Sequence, residues 1–295
     1  MIWSRRGFLA AGAMAAAPSL GWAAGSDTYP FWEVRKGDAV VYLFGDGGAV
    51  TDPWSSPRIL AAFDRSAVFW KETPDGSPDR DRAIAAGVDH ARPLSTWLTA
   101  AQKDRIAAAA ADAGITYGAL EPLKPWLASV VLANSYAQHK AAAPVKTPGE
   151  AISSDPIAVL TARAIAAGKP IRTEFPSQND LIDWPNAMTP AAQVQYLLYI
   201  AENNALPAER MARRKREWAA GVMGPETREV ARMKVAYPDL YQPLILERNR
   251  AWLPRFRDML AGGGTSFVLV GCDHLLGPDG LLVQFAAAGL TPRRI

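Results

Sequence analysis

Four acidic residues and one histidine stand where short apolar runs of this sequence end. They are Asp46, Glu72, Glu174, Asp273 and His274. Each run is typical of a short β-strand, and open α/β sheets bind ligands outside the carboxyl ends of their strands. If the strands are neighbours in one sheet, the five side chains meet. Carboxylates beside one imidazole could then ligate a metal ion or act as general acid and base.

His274 is the most informative member of this set. It follows the apolar run 267–270 and opens a Leu-Leu-Gly-Pro-Asp-Gly segment, with Gly271 and Gly277 on either side. Acids at strand ends also cap helices or accept hydrogen bonds from loop amides, and for each of the four acids that structural role stays open. His90 has a loop context, and His139 stands near a helix end.

Other chemical motifs are weaker or missing. Cys272 next to His274 could be a thiol nucleophile, but a small core residue is the better interpretation. The glycine-rich stretch 45–48 follows a strand, yet residues 49–57 are poor helix material, whereas a phosphate loop needs a helix N-terminus there. The sequence contains no G-x-S-x-G, G-x-x-x-x-G-K-[ST] or H-E-x-x-H motif.

Strands are predicted near both ends of the chain. The pattern indicates a hairpin over 31–44, strands at 67–70, 169–175 and 265–270, and a returning edge strand within 290–295. Residues 73–82 are rich in Pro, Gly and Asp and are predicted to form a loop. The middle is mostly helical, with helix starts at Thr99, whose Gln102 completes a capping box, and at Thr189-Pro190, and a helix stop at Gly168. The predicted fold is therefore α/β: a mixed sheet of N- and C-terminal strands, helices packed on it, and a large helical middle.

Composition and charge limit the function. With 295 residues and 49% hydrophobic content, the chain suits one large globular domain, placed at residues 24–295. Without Arg5 and Arg6 the Lys and Arg count of 32 falls to 30, against 29 acids. The one basic cluster, residues 210–216, also has acids beside it, which favours a solvated helix over a nucleic-acid site. The single cysteine excludes an intramolecular disulfide.

The first residues indicate export. Residues 4–9, Ser-Arg-Arg-Gly-Phe-Leu, carry a twin-arginine pattern, and an apolar stretch over 8–17 follows. That stretch is shorter than the ~20 residues that span a bilayer. We therefore expect residues 1–23 to be a twin-arginine signal peptide cleaved after Ala23, with Ala24 as the alternative site, and the mature protein to be periplasmic without a stable membrane anchor.

Several segments together resemble the TraB/GumN family. Residues 267–281 resemble its signature, in which a strand runs into G-A-G-H-L-x-G-x-x-G, and residues 247–252 resemble its R-N-x-x-W helix. Residues 121–126 resemble its L-x-P-W helix, residues 169–174 its Gly-Lys-Pro strand ending in Glu, and Glu72 its early glutamate. Residues 41–45 match the strand before its G-T-x-H motif. The resemblance covers nearly all of the chain after residue 24, in order.

The resemblance implies a metal-dependent protein whose TIKI-type relatives are proteases. On this basis His274 is the late histidine of the metal site, and Glu72 and Glu174 are its acids. Arg248 would line the site or bind an anion, and Asn249 would be a hydrogen-bond partner on its helix. A divalent ion such as Mn, Co or Zn is the implied cofactor, and a peptide or small molecule the implied substrate.

Two departures from the family pattern bear on activity. Gly48 stands where G-T-x-H has its histidine, and Asp273 replaces a glycine of G-A-G-H. The site is then either degenerate or richer in oxygen ligands, with Asp46 and Asp273 added, which suits harder ions such as Mn²⁺, Mg²⁺ or Ca²⁺. Two functions follow: a divergent metal-dependent hydrolase in which Glu72 or Glu174 is the general base and Arg248 steadies negative charge, or an inactive relative that binds a ligand.

Overall fold

The computed structural model of the protein describes residues 28–48, 54–141 and 155–295. Its strands are β1 Phe31–Lys36, β2 Ala39–Asp46, β3 Val68–Lys71, β4 Ile171–Thr173, β5 Thr265–Gly271 and β6 Arg293–Arg294. They form one sheet in the order β4-β3-β5-β2-β1-β6. The predicted signal peptide, residues 1–23, lies outside the described residues.

Four neighbouring strands of the sheet run parallel. β4 pairs with β3, β3 with β5, and β5 with β2, all in parallel. The hairpin of β1 and β2 is antiparallel with Phe31 opposite Phe44, and β6 adds an antiparallel edge to β1. The predicted mixed sheet of N- and C-terminal strands is confirmed, because β5 lies between β3 and β2.

Helices fill the rest of the described chain. Their bounds are α1 Pro57–Arg65, α2 Arg80–Gly87, α3 Ala100–Asp112, α4 Pro125–Ala141, α5 Pro156–Ala166, α6 Asp180–Asn186, α7 Pro190–Asn204, α8 Ala208–Ala219, α9 Gly224–Ala236, α10 Pro238–Tyr241, α11 Arg248–Ala261, α12 Cys272–Leu275 and α13 Leu281–Ala287. Short 3₁₀ turns occupy Leu94–Thr96 and Tyr117–Ala119, and a π-helical turn occupies Gln242–Glu247.

The predicted helix boundaries hold where side-chain chemistry fixes them. Thr99 and Gln102 form both hydrogen bonds of a capping box at the start of α3. The Thr189 hydroxyl accepts from the N–H of Ala192, with Pro190 at the first position of α7. Gly168 follows α5 at φ 60°, the left-handed conformation that ends many helices.

Three local predictions need correction. The loop predicted to extend to residue 82 ends earlier, because Asp79 caps α2 by accepting from the N–H of Arg82. The strand predicted over 169–175 pairs over three residues only, since prolines at 170 and 176 flank this edge strand. Helix α1 was not predicted; Ser56 caps it and Pro57 opens it.

The described residues pack into two apolar clusters. One surrounds the sheet and includes Phe44, Phe69, Phe267 and Trp252, while the other lies among α3, α4, α7 and α10. Arg248 stands where they meet: its guanidinium lies over Trp184, which packs on the helical cluster, and Trp252 follows one turn later in α11. In the part of the chain that is described, no helix has the length and apolarity to cross a bilayer.

Candidate functional site at the carboxyl ends of the parallel strands

The carboxyl ends of the four parallel strands lie side by side. Asp46, the last residue of β2, pairs with Gly271, the last residue of β5. Lys71 of β3 is opposite both Leu269 of β5 and Thr173 of β4. Glu72 and Glu174 therefore leave the sheet at the same level. We use "strand-end site" for the group Asp46, Glu72, Glu174, Arg248, Asp273 and His274.

Arg248 bridges the two glutamates. Its Nε donates to Glu174 Oε1 at 2.8 Å, and its Nη2 donates to Glu174 Oε2 at 2.5 Å and to Glu72 Oε2 at 2.7 Å. All three side chains are almost fully buried, at 6–7% exposure. The Arg248–Glu174 pair is bidentate, the geometry in which guanidinium and carboxylate bind most specifically.

Burial and charge act against each other at Arg248. Burial opposes its positive charge, but the hydrogen bonds and charges of Glu174 and Glu72 outweigh burial, so the Arg248 pKa is raised above its ordinary value. The guanidinium also lies over the rings of Phe175 and Trp184, 5.4 and 5.7 Å from their centroids. Arg248 is therefore a permanent, fixed cation within the strand-end site.

Helix α11 holds Arg248 with an apolar stripe. Arg248, Trp252, Phe256 and Leu260 recur every four residues, and all four are buried. The π-helical turn Gln242–Glu247 comes directly before, and its Pro243 has no N–H to continue a regular ladder. Such turns shift the helical phase, and here the shift precedes two polar residues that both face inward, Arg248 and Asn249.

Asn249 fixes the tautomer of His274. Its Nδ2 donates to two backbone carbonyls, those of His274 at 3.1 Å and Asp279 at 3.0 Å. The amide oxygen must therefore face His274 Nδ1, 2.8 Å away, and accept its proton. A flipped amide would place oxygen against two carbonyl oxygens. The neutral imidazole is consequently protonated on Nδ1 and carries a lone pair on Nε2.

The Nε2 of His274 has no hydrogen-bond partner among the described residues, although the side chain is fully buried. It lies 3.9 Å from Glu72 Oε2. Burial, with the nearby charge of Arg248, lowers the pKa of His274 well below its ordinary value, so the ring stays neutral. Two acceptor atoms thus face each other with no proton between them, an arrangement that a cation would stabilise.

Asp46 and Asp273 flank this pair from β2 and from the turn after β5. Burial raises the pKa of each to about 7, and the charge of Glu72 adds to the effect. Asp46 Oδ1 accepts from the N–H of Gly48 at 2.9 Å, and Asp273 Oδ1 from that of His274 at 3.1 Å. Both acids therefore fill the loop-capping role that the sequence left open, while they add negative charge to the strand-end site.

Two glycines shape the strand-end site. The N–H of Gly271 donates to Glu72 Oε1 at 2.6 Å, and a Cβ there would lie 2.3 Å from Asp273 Oδ1. Gly48 has φ 83°, and a Cβ at that position would have no atom of the described residues within 4 Å. A side chain at position 271 would therefore displace the Asp273 carboxylate, whereas the described residues leave space at Gly48, where the family resemblance predicts a histidine.

The structure brings all of the predicted site residues to one edge of the sheet, and it adds contacts that sequence reasoning missed. Phe175 and Trp184 enclose Arg248, and Trp218 Nε1 donates to the carbonyl of Gly45 at 2.8 Å beneath the first strand end. The Trp184 contact depends on how α6 packs, for which the sequence holds no local signal. Among the described residues no three His, Cys, Asp or Glu side chains are grouped so as to hold a metal ion.

Comparison with protein-family profiles shows the family to which the chain belongs. The sequence profile of the TraB/PrgY/gumN family matches residues 30–294, which includes every strand and every member of the strand-end site. The chain belongs to the TraB/PrgY/gumN family. Comparison with curated proteins finds no match, and comparison with solved structures finds none. The family resemblance stated from the sequence motifs is therefore confirmed.

Proposed function

We propose that this TraB/PrgY/gumN protein is a divergent metal-dependent hydrolase that acts on a peptide. The observation that carries the proposal is the buried His274 Nε2, an acceptor without a partner that faces Glu72 Oε2 at 3.9 Å. A structural histidine in a core is normally satisfied on both nitrogens. Here Asn249 satisfies one nitrogen and leaves the other aimed at a carboxylate.

The donor set supports a divalent cation. Glu72, Glu174, Asp46 and Asp273 supply four carboxyl groups, whereas Arg248 is their one buried guanidinium partner among the described residues. His274 Nε2 and Glu72 Oε2 would be the first two ligands, and water would supply the others, because no third His, Cys, Asp or Glu side chain of the described residues is grouped with them. A bound Mn, Co or Zn ion would polarise a substrate carbonyl and lower the pKa of a bound water.

The protein's own groups then take distinct roles. Glu174 spends both oxygens on Arg248, so we assign it to positioning that guanidinium. Glu72 shares only Oε2 with Arg248, and that oxygen also lies 3.9 Å from His274 Nε2, so we assign Glu72 as the general base of the two glutamates. Arg248 would stabilise negative charge that develops on the substrate. Asn249 would keep the His274 lone pair pointed into the strand-end site.

A second candidate, an inactive relative that binds a ligand, is favoured by one observation. Arg248 occupies the inner oxygens of both glutamates, and Gly48 supplies no imidazole. In this reading Arg248, Glu72 and Glu174 form a purely structural ion triad, and the strand-end site binds a ligand without turnover. The two candidates differ in whether a divalent ion binds at His274.

The test combines metal binding with turnover. Protein purified without chelator is analysed for metal content, then stripped and titrated calorimetrically with Mn²⁺, Co²⁺ and Zn²⁺. We expect His274→Ala to weaken binding at least ~10-fold. His90→Ala, which removes an exposed histidine, should leave binding unchanged. Metal-loaded protein is then assayed on a mixed peptide library by mass spectrometry.

The outcomes separate the candidates. Metal binding that depends on His274, with new peptide termini, supports the hydrolase. Metal binding without cleavage removes the peptidase assignment. If the wild type binds none of the three ions, the hydrolase proposal is wrong and the ligand-binding relative stands.

We propose that the protein is exported by the twin-arginine route and acts in the periplasm. The Arg5-Arg6 pattern and the small residues before Ala24 support this proposal. Intact-mass measurement of protein from a periplasmic extract should give a chain beginning near Ala24. A chain that keeps Arg5 and Arg6 would contradict this.

A further inference from the structure

Two helices outside the strand-end site turn arginine-rich faces toward one another. Arg210, Arg213, Arg214 and Glu217 share one face of α8, and Pro225, Arg228, Glu229 and Arg232 share one face of α9. Each set follows the i, i+3, i+4, i+7 spacing of a single helical stripe. Between the stripes lies a cavity of about 560 Å³. We call it the arginine cavity.

Three of its arginines are held in place by carboxylates. Arg214 Nη2 lies 3.0 Å from Glu226, and Arg232 Nη2 lies 2.6 Å from Glu229 and 3.0 Å from Glu202. Arg213 has a long contact of 4.0 Å to Glu217. These pairs fix the side chains at the cavity without neutralising all of the positive charge that lines it.

The other two arginines have no such partner. Arg210 and Arg228 make no ion pair and donate no side-chain hydrogen bond within the described ranges, and both are exposed. Five guanidinium groups and two carboxylates line the cavity, and Glu226 and Glu202 pair with two of these arginines from its margin, which leaves one positive charge in excess. The surroundings are electropositive enough that the pKa of Glu229 is lowered although its burial acts to raise it.

A solvated helix surface, the interpretation that the sequence favours, explains this arrangement less well. On such a surface the charges point to water and pair along their own helix, as Arg213 and Arg232 do with Glu217 and Glu229. Arg214 and Arg232 also pair with Glu226 and Glu202, which lie on other helices. Here arginines of two helices line one concave space, and among the described residues Arg210 and Arg228 have no carboxylate partner to offset the repulsion between like charges. Guanidinium forks bind phosphate and carboxylate oxygens bidentately, so the side-chain type matches an oxyanion.

We propose that the arginine cavity binds a small multivalent oxyanion, carrying phosphate or carboxylate groups, through Arg210 and Arg228 with Arg213, Arg214 and Arg232 beside them. The ligand should be small because the space is concave and the carboxylates of Glu217 and Glu229 limit its extent. The cavity lies near the strand-end site, because α9, which lines the cavity, packs against α12, which carries Asp273 and His274. The proposal does not depend on metal binding or hydrolysis.

The test is calorimetric titration of the full chain with two probes, inorganic pyrophosphate and citrate, at low salt. Metal-free buffer is used so that chelation by the probes does not contribute. The variant is Arg210→Gln/Arg228→Gln. Two single controls, Arg216→Gln and Arg163→Gln, each remove an exposed arginine outside the cavity, and their combination matches the charge change. Circular dichroism confirms that each protein is folded.

We expect saturable binding of at least one probe to the wild type. The cavity variant should weaken it at least ~10-fold, because a hydrogen bond to a charged group contributes about 1.5–3 kcal/mol. The Arg216→Gln/Arg163→Gln combination should change the affinity for the probe less than ~2-fold, because salt screens charges that lie far from the bound anion. Preference for pyrophosphate would identify a phosphate ligand, and preference for citrate a carboxylate ligand.

Either of two results would overturn the proposal. One is the absence of saturable binding for both probes to the wild type. The other is equal weakening by the cavity variant and the control, which would mean that net charge, and not the cavity, attracts the anion.

Discussion

At the scale of single residues, the strand-end site depends on one amide that orients one imidazole. Asn249 donates to two carbonyls and so has only its oxygen left for His274 Nδ1. The buried Nε2 lone pair is the consequence. This is a tautomer assigned from a hydrogen-bond network, and it can be measured directly.

We predict that His274 is neutral and protonated on Nδ1 at pH 6.5. The measurement is two-dimensional nitrogen–proton NMR of imidazole nitrogens in a His90→Gln/His139→Gln protein, where His274 is the one histidine left. Because burial lowers its pKa, its ring should stay neutral below the ordinary ~6.5. Asn249→Leu should change the tautomer signature. A wild-type ring protonated on Nε2 would contradict the assignment.

We predict that Gly48→His increases affinity for Zn²⁺, Mn²⁺ or Co²⁺ at least ~10-fold. Even residues that only hydrogen-bond to metal ligands change metal affinity by about that factor. No atom of the described residues crowds a Cβ at Gly48, while the φ of 83° costs about 1 kcal/mol for any side chain. Gly48→Ala carries the same strain without the imidazole and is the control. If Gly48→His folds and binds no tighter than Gly48→Ala, the metal-site assignment fails.

At the scale of elements, Arg248 fastens α11 to the ends of β3 and β4. Its guanidinium is the link between the glutamate after each of these strands and the helix that packs on the sheet. Removing one member of a buried ion group leaves the other charges unpaired, which costs far more than losing a surface pair. The helix position and the stability of the strand ends should therefore change together.

We predict that Arg248→Met lowers the free energy of unfolding by about 3–5 kcal/mol. Arg163→Met is the matched control: it breaks an exposed bidentate pair with Asp64 and should cost no more than ~1 kcal/mol. Urea denaturation followed by circular dichroism measures both. Equal losses in the two variants would show that the buried triad contributes nothing special to stability.

The sequence predicts elements best where local chemistry decides them. The Thr99 capping box, the Thr189-Pro190 helix start and the 31–44 hairpin follow from residue types a few positions apart, and all three are confirmed. Glu72, Glu174 and His274 meet only if their strands are neighbours in the sheet. The apolar runs indicate where the strands lie, but long-range packing determines their order. The Trp184 wall over Arg248 and the π-helical turn before it had no local signal.

At the scale of the whole molecule, the strand-end site concentrates acids that resist ionisation. Burial raises the pKa of Asp46 and of Asp273 from 3.8 to about 7. Between these two values the folded protein holds protons that the unfolded chain releases. These two groups therefore stabilise the metal-free protein at low pH, and that contribution is lost as the pH rises toward 7. His274, with its lowered pKa, acts in the opposite direction.

We predict that Asp46→Asn/Asp273→Asn alters the pH dependence of stability. Relative to the wild type, the variant should gain free energy of unfolding as the pH rises from 5 to 7.5, because it lacks the two acids that become charged in a buried place. The comparison cancels the His274 contribution. Urea midpoints at the two pH values, without divalent ions, provide the measurement. A difference that stays constant with pH would show that these acids titrate normally.

The strand order also determines when the sheet can form during translation. β5 separates β2 from β3, yet the ribosome makes it after α1 to α11 have emerged. Until then the two early strands have no shared neighbour, and their edges stay open to wrong partners. Such long-range pairing folds slowly and exposes the nascent chain to aggregation. A segment translated late thus joins β2 to β3 in the sheet, and it carries His274 directly after it.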